Sequence, residues 1–177
     1  AKIGLRIFYS SQSMKGNHME SKELRLLLDT AFQTLMCNSK DMIFVKDADL
    51  IYRAASVPFV KMVGKESIDE VVGKTDAEIF NDKSLAKRYV SDDKKLIKGG
   101  KDLVDYIEPI PEAEDGQARF GSTSKYLLKD ADGKLIGIVG VTKDITRDYI
   151  ARQHYQQELR YLFALPQDTY AVSFIDI

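Results

Sequence analysis

The stretch that decides the fold is KLIGIVGVTKDITR, residues 134–147. Its apolar side chains fall on both sides of a two-residue period, which predicts a strand with both faces covered: Leu135, Ile136, Ile138, Val139 and Val141. Asp132 and Gly133 lie directly before it and form a strong hairpin signal, so the preceding segment is its antiparallel neighbour. The stretch is therefore predicted to be the central strand of an antiparallel sheet.

A helix is predicted directly after this strand. The strand ends at Asp144, Ile145 and Thr146, and residues 147–163 are rich in charged and helix-favouring side chains. The centre of the sheet therefore continues without a break into a helix, and a disturbance of the sheet can move that helix. We interpret Asp144, Ile145 and Thr146 as a signal relay.

Composition narrows the class of protein. The chain has 177 residues, enough for one domain with flanking elements, and a formal net charge of -1, which predicts no nucleic-acid partner and no direct membrane contact. The single cysteine, Cys37, excludes an internal disulfide framework and fits a reducing compartment. No apolar run approaches the roughly 18 residues of a membrane span, and the N-terminus lacks a signal-peptide pattern. The fragment is predicted to be soluble and cytoplasmic, although its parent protein can be membrane-anchored.

The two ends of the chain are predicted to lie outside the main domain. Residues 1–20 are interpreted as a leader, either the remnant of a preceding segment or a cloning junction at His18 and Met19. Residues 166–177 follow Pro166 and contain the strand-like YAVSFIDI, which we interpret as the truncated start of a following domain.

A helix is predicted over residues 21–37, within an N-terminal capping segment of residues 21–38. Apolar side chains recur there at spacings of three and four, Ser21 can cap the start and Asn38 can end the helix. Its wide apolar stripe either packs only on the outer face of the central strand or also meets a second copy in a dimer. The candidate dimer-interface residues are Leu24, Leu28, Phe32 and Leu35.

The middle of the chain predicts two strands followed by short helices. The strands are residues 42–45 and 50–55, joined by a turn over residues 46–49. Ser56, Ser67 and Thr75 each begin a short helix, the last two in capping boxes with Glu70 and Glu78. Such short helices cannot form a bundle and instead suit single turns wrapped over a sheet.

A longer helix and three more strands complete the predicted domain. Residues 84–97 form the helix, with a run of lysines and aspartates interpreted as a solvated face. Three strands then follow as a meander from residue 102, and Pro109 marks the first of them as an edge strand because it cannot donate to a ladder.

Four segments in order resemble a bacterial PAS sensor domain. They are DMIFVKDADLIY, FVKMVG, VVGKTDAEIF and the closing hairpin KYLLKDADGKLIGIVGVTKDIT, within residues 41–146. The resemblance implies an α+β fold: a five-stranded antiparallel sheet with short helices on one face, enclosing a pocket for a small signal molecule or cofactor. Residues 147–165 then form a linker helix to an output domain.

The residue types of common catalytic and cofactor sites are missing from the predicted core. His18 and His154 lie outside it, which argues against a catalytic triad, a histidine metal site or a haem ligand. Cys37 lies on the leading helix, so no cysteine-linked chromophore is expected, and no glycine-rich phosphate loop follows a strand. We predict no catalytic residues, no metal and no cofactor, while an unidentified small-molecule ligand is possible.

A candidate pocket comes from residues 119–128, where hydroxyl and aromatic side chains share one face of the strand. Ser122, Ser124 and Tyr126 on that face are suited to a small polar ligand, or else belong to a half-exposed sheet surface. Arg53 either points inward to a carboxylate or outward to solvent. The remaining candidate pocket walls are Phe59, Phe80 and Tyr106, which are otherwise ordinary core.

These observations predict a non-catalytic sensory and dimerisation module of a bacterial signalling protein, a homodimer that relays ligand binding to an output domain through its C-terminal helix. Two alternatives remain open. The fragment is the regulatory part of a diguanylate cyclase, phosphodiesterase or histidine kinase whose catalytic domain is absent here, or it is a ligand-free PAS module for protein–protein interaction.

Overall fold

A computed structural model describes residues 21–111 and 116–164, and the chain divides into two compact units, Ala1–Thr34 and Leu35–Ile177. The described part of the first unit belongs to helix α1 (Ser21–Asn38), which matches the predicted helix. The predicted leader, residues 1–20, and the predicted start of a following domain, residues 166–177, lie outside the described residues. The packing of α1 on the sheet and the dimer role of Leu24, Leu28, Phe32 and Leu35 stay predictions.

A five-stranded antiparallel sheet forms the centre of the second unit. The strands follow the spatial order β2-β1-β5-β4-β3, so β5 is central and β3 is an edge strand, as predicted. The strand bounds are β1 Met42–Asp47, β2 Tyr52–Ala55, β3 Leu103–Ile110, β4 Arg119–Lys129 and β5 Leu135–Asp144. The predicted α+β class is confirmed.

The two faces of β5 are covered unequally. Ile138, Gly140 and Thr142 are buried on the inner face, which looks towards the short helices, while Val139 and Val141 on the outer face are only half-buried. The prediction of two covered faces therefore holds fully for the inner face alone.

The turn between β4 and β5 is held by one aspartate. Oδ1 of Asp130 accepts hydrogen bonds from the backbone N–H of Asp132 at 3.0 Å and of Lys134 at 2.9 Å. Gly133 has φ +81°, a left-handed conformation that costs glycine little. The hairpin predicted from Asp132 and Gly133 is confirmed, with a loop of residues 130–134 between the paired ends of the strands.

Short helices fill the connection between β2 and β3. They are α2 (Val57–Met62), a single 3₁₀ turn (Ile68–Glu70), α3 (Asp76–Ile79) and the longer α4 (Lys83–Gly99). Both predicted capping boxes are present. Ser56 precedes α2 as predicted, but its hydroxyl does not cap the helix, because it accepts from the N–H of Ile43 and donates to the carbonyl of Asp41.

The core lies between the inner face of the sheet and these helices. Phe44, Tyr52 and Phe59 form a cluster of rings whose centroids are 5.3 to 5.8 Å apart. Helix α5 (Thr146–Ala164) begins two residues after β5 ends, so the predicted continuity of strand and helix is confirmed.

Candidate functional site

A small cavity lies inside the core, between the sheet and helices α2 to α4. Its volume is about 30 Å³, which is room for about two water molecules and far below the several hundred Å³ of pockets for drug-sized ligands. One group of lining side chains is apolar or aromatic: Phe44, Tyr52, Phe59, Met62, Phe80 and Tyr89. The other group is polar or charged: Lys46, Asp76, Glu108, Thr123, Lys125 and Thr142.

Four charged side chains form a buried charge network on one side of this cavity: Lys46, Asp76, Asp93 and Lys125. Nζ of Lys46 lies 2.6 Å from Oδ2 of Asp76 and 2.7 Å from Oδ2 of Asp93. Nζ of Lys125 lies 2.5 Å from Oδ1 of Asp93. These side chains are between 0 and 6% exposed. Burial of ions is tolerated here because each charge has an opposite charge within hydrogen-bonding distance.

Strand alternation explains how the two lysines reach the interior. Lys46 follows Met42 and Phe44 on the inward face of β1, and Lys125 follows Thr123 on the inward face of β4. The carboxylates come from the opposite layer, Asp76 from the first turn of α3 and Asp93 from the middle of α4. The network therefore ties the sheet to two helices across the cavity.

Hydroxyl groups complete the polar side of the cavity. The phenol of Tyr52 donates to Oδ1 of Asp76 at 2.7 Å, and Thr123 and Thr142 share a hydrogen bond of 2.9 Å between their hydroxyls on neighbouring strands. Burial raises the pKa of Tyr52 well above its ordinary value, and the charge of Asp76 raises it further. Tyr52 is therefore a neutral donor at physiological pH.

Glu108 is the remaining charged side chain in the cavity wall. It lies on β3 opposite Gly121 and is 9% exposed. Among the residues that the structure describes, no side chain or backbone N–H donates to its carboxylate, and no cation forms an ion pair with it. Tyr89 lies near enough that the Glu108 charge, after the larger effect of burial, raises the pKa of the Tyr89 phenol well above its usual range.

One glycine sets the position of an aromatic wall. Gly140 pairs with Phe44 across β5 and β1, and a Cβ atom at position 140 would overlap the Phe44 ring. Only glycine therefore allows the ring to lie against the strand, where it contributes to the cavity wall.

A second polar cluster, the β5–α5 junction, consists of Arg119, Phe120, Asp144, Ile145 and Thr146. The Arg119 guanidinium donates to Oδ2 of Asp144 at 2.6 Å, and the Thr146 hydroxyl donates to Oδ1 of Asp144 at 2.6 Å. The backbone N–H of Phe120 donates to the same hydroxyl at 3.0 Å, and the N–H of Ile145 donates to the Phe120 carbonyl at 2.9 Å. The start of α5 is thus bound to the start of β4.

Ring stacking and charge reinforce this junction. The rings of Phe120 and Tyr149 are stacked with centroids 4.3 Å apart. Burial alone would raise the pKa of Asp144, but the hydrogen bonds from Thr146 and Arg119 outweigh burial and hold it below its ordinary value. Asp144 is therefore ionised at neutral pH, and the structure gives the predicted relay residues a shared hydrogen-bond network. Their role in signalling stays a prediction.

Two of the predicted pocket residues line the cavity and three lie on the opposite face of β4. Phe59 and Phe80 are buried in the cavity wall. Ser122, Ser124 and Tyr126 do not line the cavity, because Gly121, Thr123 and Lys125 form the buried face of the strand. The predicted inward face of β4 is therefore corrected to the other set of alternating residues.

Arg53 and Tyr106 also lie away from the cavity. The Arg53 side chain is 54% exposed and pairs with Asp47 at 2.6 Å, so the outward alternative is the observed one. Tyr106 pairs with Thr123 across β3 and β4 but is 54% exposed and does not contribute to the cavity wall.

The sequence interpretation missed the buried charges. Asp93 was placed on the solvated face of its helix, yet it lies four residues after Tyr89 and seven after Ala86, both on the packed side of α4. Lys46 continues the two-residue alternation of Met42 and Phe44. Helical and strand periodicity were the signals that could have found both residues.

Two searches of the described residues found no further site. In residues 21–111 and 116–164, no group of three His, Cys, Asp or Glu side chains is arranged to hold a metal ion. Within the same ranges, no helix has the length and apolar character needed to cross a membrane.

Comparison with known proteins places the domain in a family. Residues 37–149, more than half of the chain, match the family model described as the PAS fold. The methanogenesis regulatory histidine kinase FilI of Methanothrix harundinacea is 26% identical over 136 residues. That match covers 73% of this chain but 14% of the kinase, so the chain spans a small part of this curated relative.

Solved structures show the same fold. The PAS domain of BvgS from Bordetella pertussis is 21% identical with a TM-score of 0.52, covering 75% of this chain and 98% of that domain. A phage VqmA–DPO complex is 20% identical with a TM-score of 0.59, covering 79% of this chain and 63% of that one. An RNA-binding light-oxygen-voltage receptor is 18% identical with a TM-score of 0.58, covering 86% of this chain and 42% of that one. With its five-stranded sheet, its enclosed cavity and the match over residues 37–149, the chain belongs to the PAS fold family.

Proposed function

We propose that this chain is a non-catalytic sensory module that binds a small polar molecule in the core cavity and relays occupancy to an output domain through α5. One observation carries the proposal: β4 contributes to both sites. Thr123 and Lys125 of β4 face the cavity, while Arg119 and Phe120 at its start hold the first turn of α5. The two sites are separated by about 10 Å along one strand.

The mechanism requires the ligand to favour one arrangement of this strand. A molecule that contacts Lys125 or Thr123 better when β4 is displaced shifts the position of Arg119 and Phe120, and with them the start of α5. A coupling free energy of about 1 to 3 kcal/mol is typical of such linkage. The small cavity limits the ligand to a few non-hydrogen atoms unless side chains of the wall move.

The proposal extends to partners and location. The relative FilI is a histidine kinase, and this supports an output domain in the parent of this chain. The module acts as a homodimer through Leu24, Leu28, Phe32 and Leu35 of α1, with no cofactor, no nucleic-acid contact and a cytoplasmic location. Incubation of the purified chain with ATP or GTP tests the non-catalytic part, and turnover of either nucleotide would overturn it.

A second candidate function is a ligand-free interaction module. It is favoured by the small volume of the cavity and by the internal pairing of Lys46, Asp76, Asp93 and Lys125, which needs no ligand. Under this alternative the network stabilises the core alone.

Native mass spectrometry of freshly purified protein separates the two candidates. The sensory module retains a small molecule, seen as added mass that is lost on denaturation. Thr123→Leu, which fills the cavity, is expected to lose the added mass, and the matched control Ser122→Leu on the opposite face of β4 is expected to keep it. Absence of added mass, with no small molecule from a metabolite library raising the unfolding temperature, would favour the interaction module.

A further inference from the structure

Glu108 is a buried carboxylate in the cavity wall without a donor in the described part of the chain. It is 9% exposed, and its side chain borders the same space as Tyr89 and Phe80. Removing an ion from water without a compensating partner is unfavourable, so such a side chain favours a molecule that supplies a donor.

The charge balance of the cavity makes the same point. The lysines Lys46 and Lys125 are matched by the carboxylates Asp76 and Asp93, which leaves this network with no net charge. Glu108 adds one negative charge that no described residue neutralises. The cavity as a whole therefore attracts a cation and repels an anion.

The aromatic part of the wall suits the same ligand chemistry. The rings of Phe80 and Tyr89 lie 5.2 Å apart between their centroids, and both border the cavity together with Glu108. A ring face attracts an ammonium group, and this attraction grows when the group is removed from water.

We propose that the cavity recognises a small molecule carrying an ammonium group, which donates hydrogen bonds to Glu108 and lies against Tyr89. This inference rests on the proposed sensory function and names the class of its ligand, an aliphatic amine of a few non-hydrogen atoms. Met62 and Phe80 line both this cavity and a larger outer groove of about 590 Å³, which gives the amine a route inward past a flexible methionine.

The test uses three probes of similar size and different charge: n-propylammonium chloride, 1-propanol and sodium propionate. Saturation-transfer NMR and calorimetric titration on the whole chain are expected to detect weak binding of n-propylammonium and none of propionate. Glu108→Gln is expected to weaken propylammonium binding by at least about tenfold, because it removes a charge-assisted hydrogen bond. Glu158→Gln, the same change on the exposed side of α5, leaves binding unaltered.

Ligand-free stability provides an independent reading. Glu108→Gln is expected to raise the unfolding temperature, since it removes an unpaired buried charge. Equal binding of propylammonium to wild type and Glu108→Gln, preferential binding of propionate, or a fall in unfolding temperature would each overturn the inference.

The outcomes separate this inference from the proposed function. A retained molecule that is acidic, or that lacks an N–H donor, overturns the amine class and leaves the sensory function standing. Failure of every probe and every library compound, together with no retained mass, overturns both.

Discussion

The buried charge network and the β5–α5 junction are built from the same kinds of group in very different surroundings. Asp93 is fully buried between Lys46 and Lys125, whereas the side chains of Asp144 and Arg119 at the junction are 40% and 26% exposed. Solvent weakens the pair at the junction, and its absence makes the network costly to break. The difference suits their proposed roles, a fixed frame around the cavity and an adjustable contact at the start of α5.

The largest expected effect comes from Asp93→Asn. This change leaves Lys125 without an ion-pair partner in the interior, and breaking a buried pair costs about 3 to 5 kcal/mol of unfolding free energy. Urea unfolding of the variant measures this loss. Asp92→Asn, next to it on α4 but paired only with Lys95 at the surface, should cost no more than about 0.5 kcal/mol. Equal losses for the two variants would show that burial does not distinguish them.

A smaller effect is expected from Thr146→Val at the junction. The variant lacks the hydroxyl that bonds Asp144 and the N–H of Phe120, at a cost of about 1 kcal/mol. Hydrogen exchange should become faster at the amides of Ile145 and Tyr149 and stay unchanged in β1. Thr146→Ser keeps the hydroxyl and should restore protection; failure of this rescue would mean that the methyl group, not the hydrogen bonds, holds the junction.

The pH dependence of the junction follows from the lowered pKa of Asp144. Because the folded pKa lies below the unfolded value of about 3.9, the stabilisation is present above that value and is lost as pH falls through the folded pKa. The difference in unfolding free energy between wild type and Asp144→Asn should therefore be under about 1 kcal/mol at neutral pH and vanish in acid. A difference that grows as the pH is lowered would contradict the assigned direction.

The smallest effect is expected from Arg53→Gln. Arg53 forms an exposed pair with Asp47 outside the cavity, so its loss should cost no more than about 0.5 kcal/mol. It should also leave retention of any small molecule unchanged in native mass spectrometry. Loss of the retained molecule in this variant would restore Arg53 as a ligand contact.

The sequence contained the fold in its local signals but not the face of β4 that is buried. The hairpin at Asp132 and Gly133, the edge position of Pro109 and both capping boxes depend on neighbouring residues, so pattern alone predicts them. In β4, hydroxyl and apolar side chains occur on both faces. Lys125 marks the inward face, against the general rule that lysine stays exposed.

The buried network could not be predicted because its partners are far apart in sequence. Lys46 and Asp93 are separated by 47 positions, and each alone is typical of a solvated side chain. Only the packing of α4 over the sheet brings them together. Glu108 escaped notice for the same reason, since one charge in an edge strand is ordinarily exposed.

The central claim is that cavity occupancy reaches α5 through β4. Its most direct test is hydrogen exchange at the amides of Ile145 and Tyr149, compared between protein carrying its retained small molecule and protein from which that molecule has been removed. The account predicts a change in protection at these two amides together with those of the cavity strands. Identical exchange at Ile145 and Tyr149 in the two states, with altered exchange around the cavity, would contradict it.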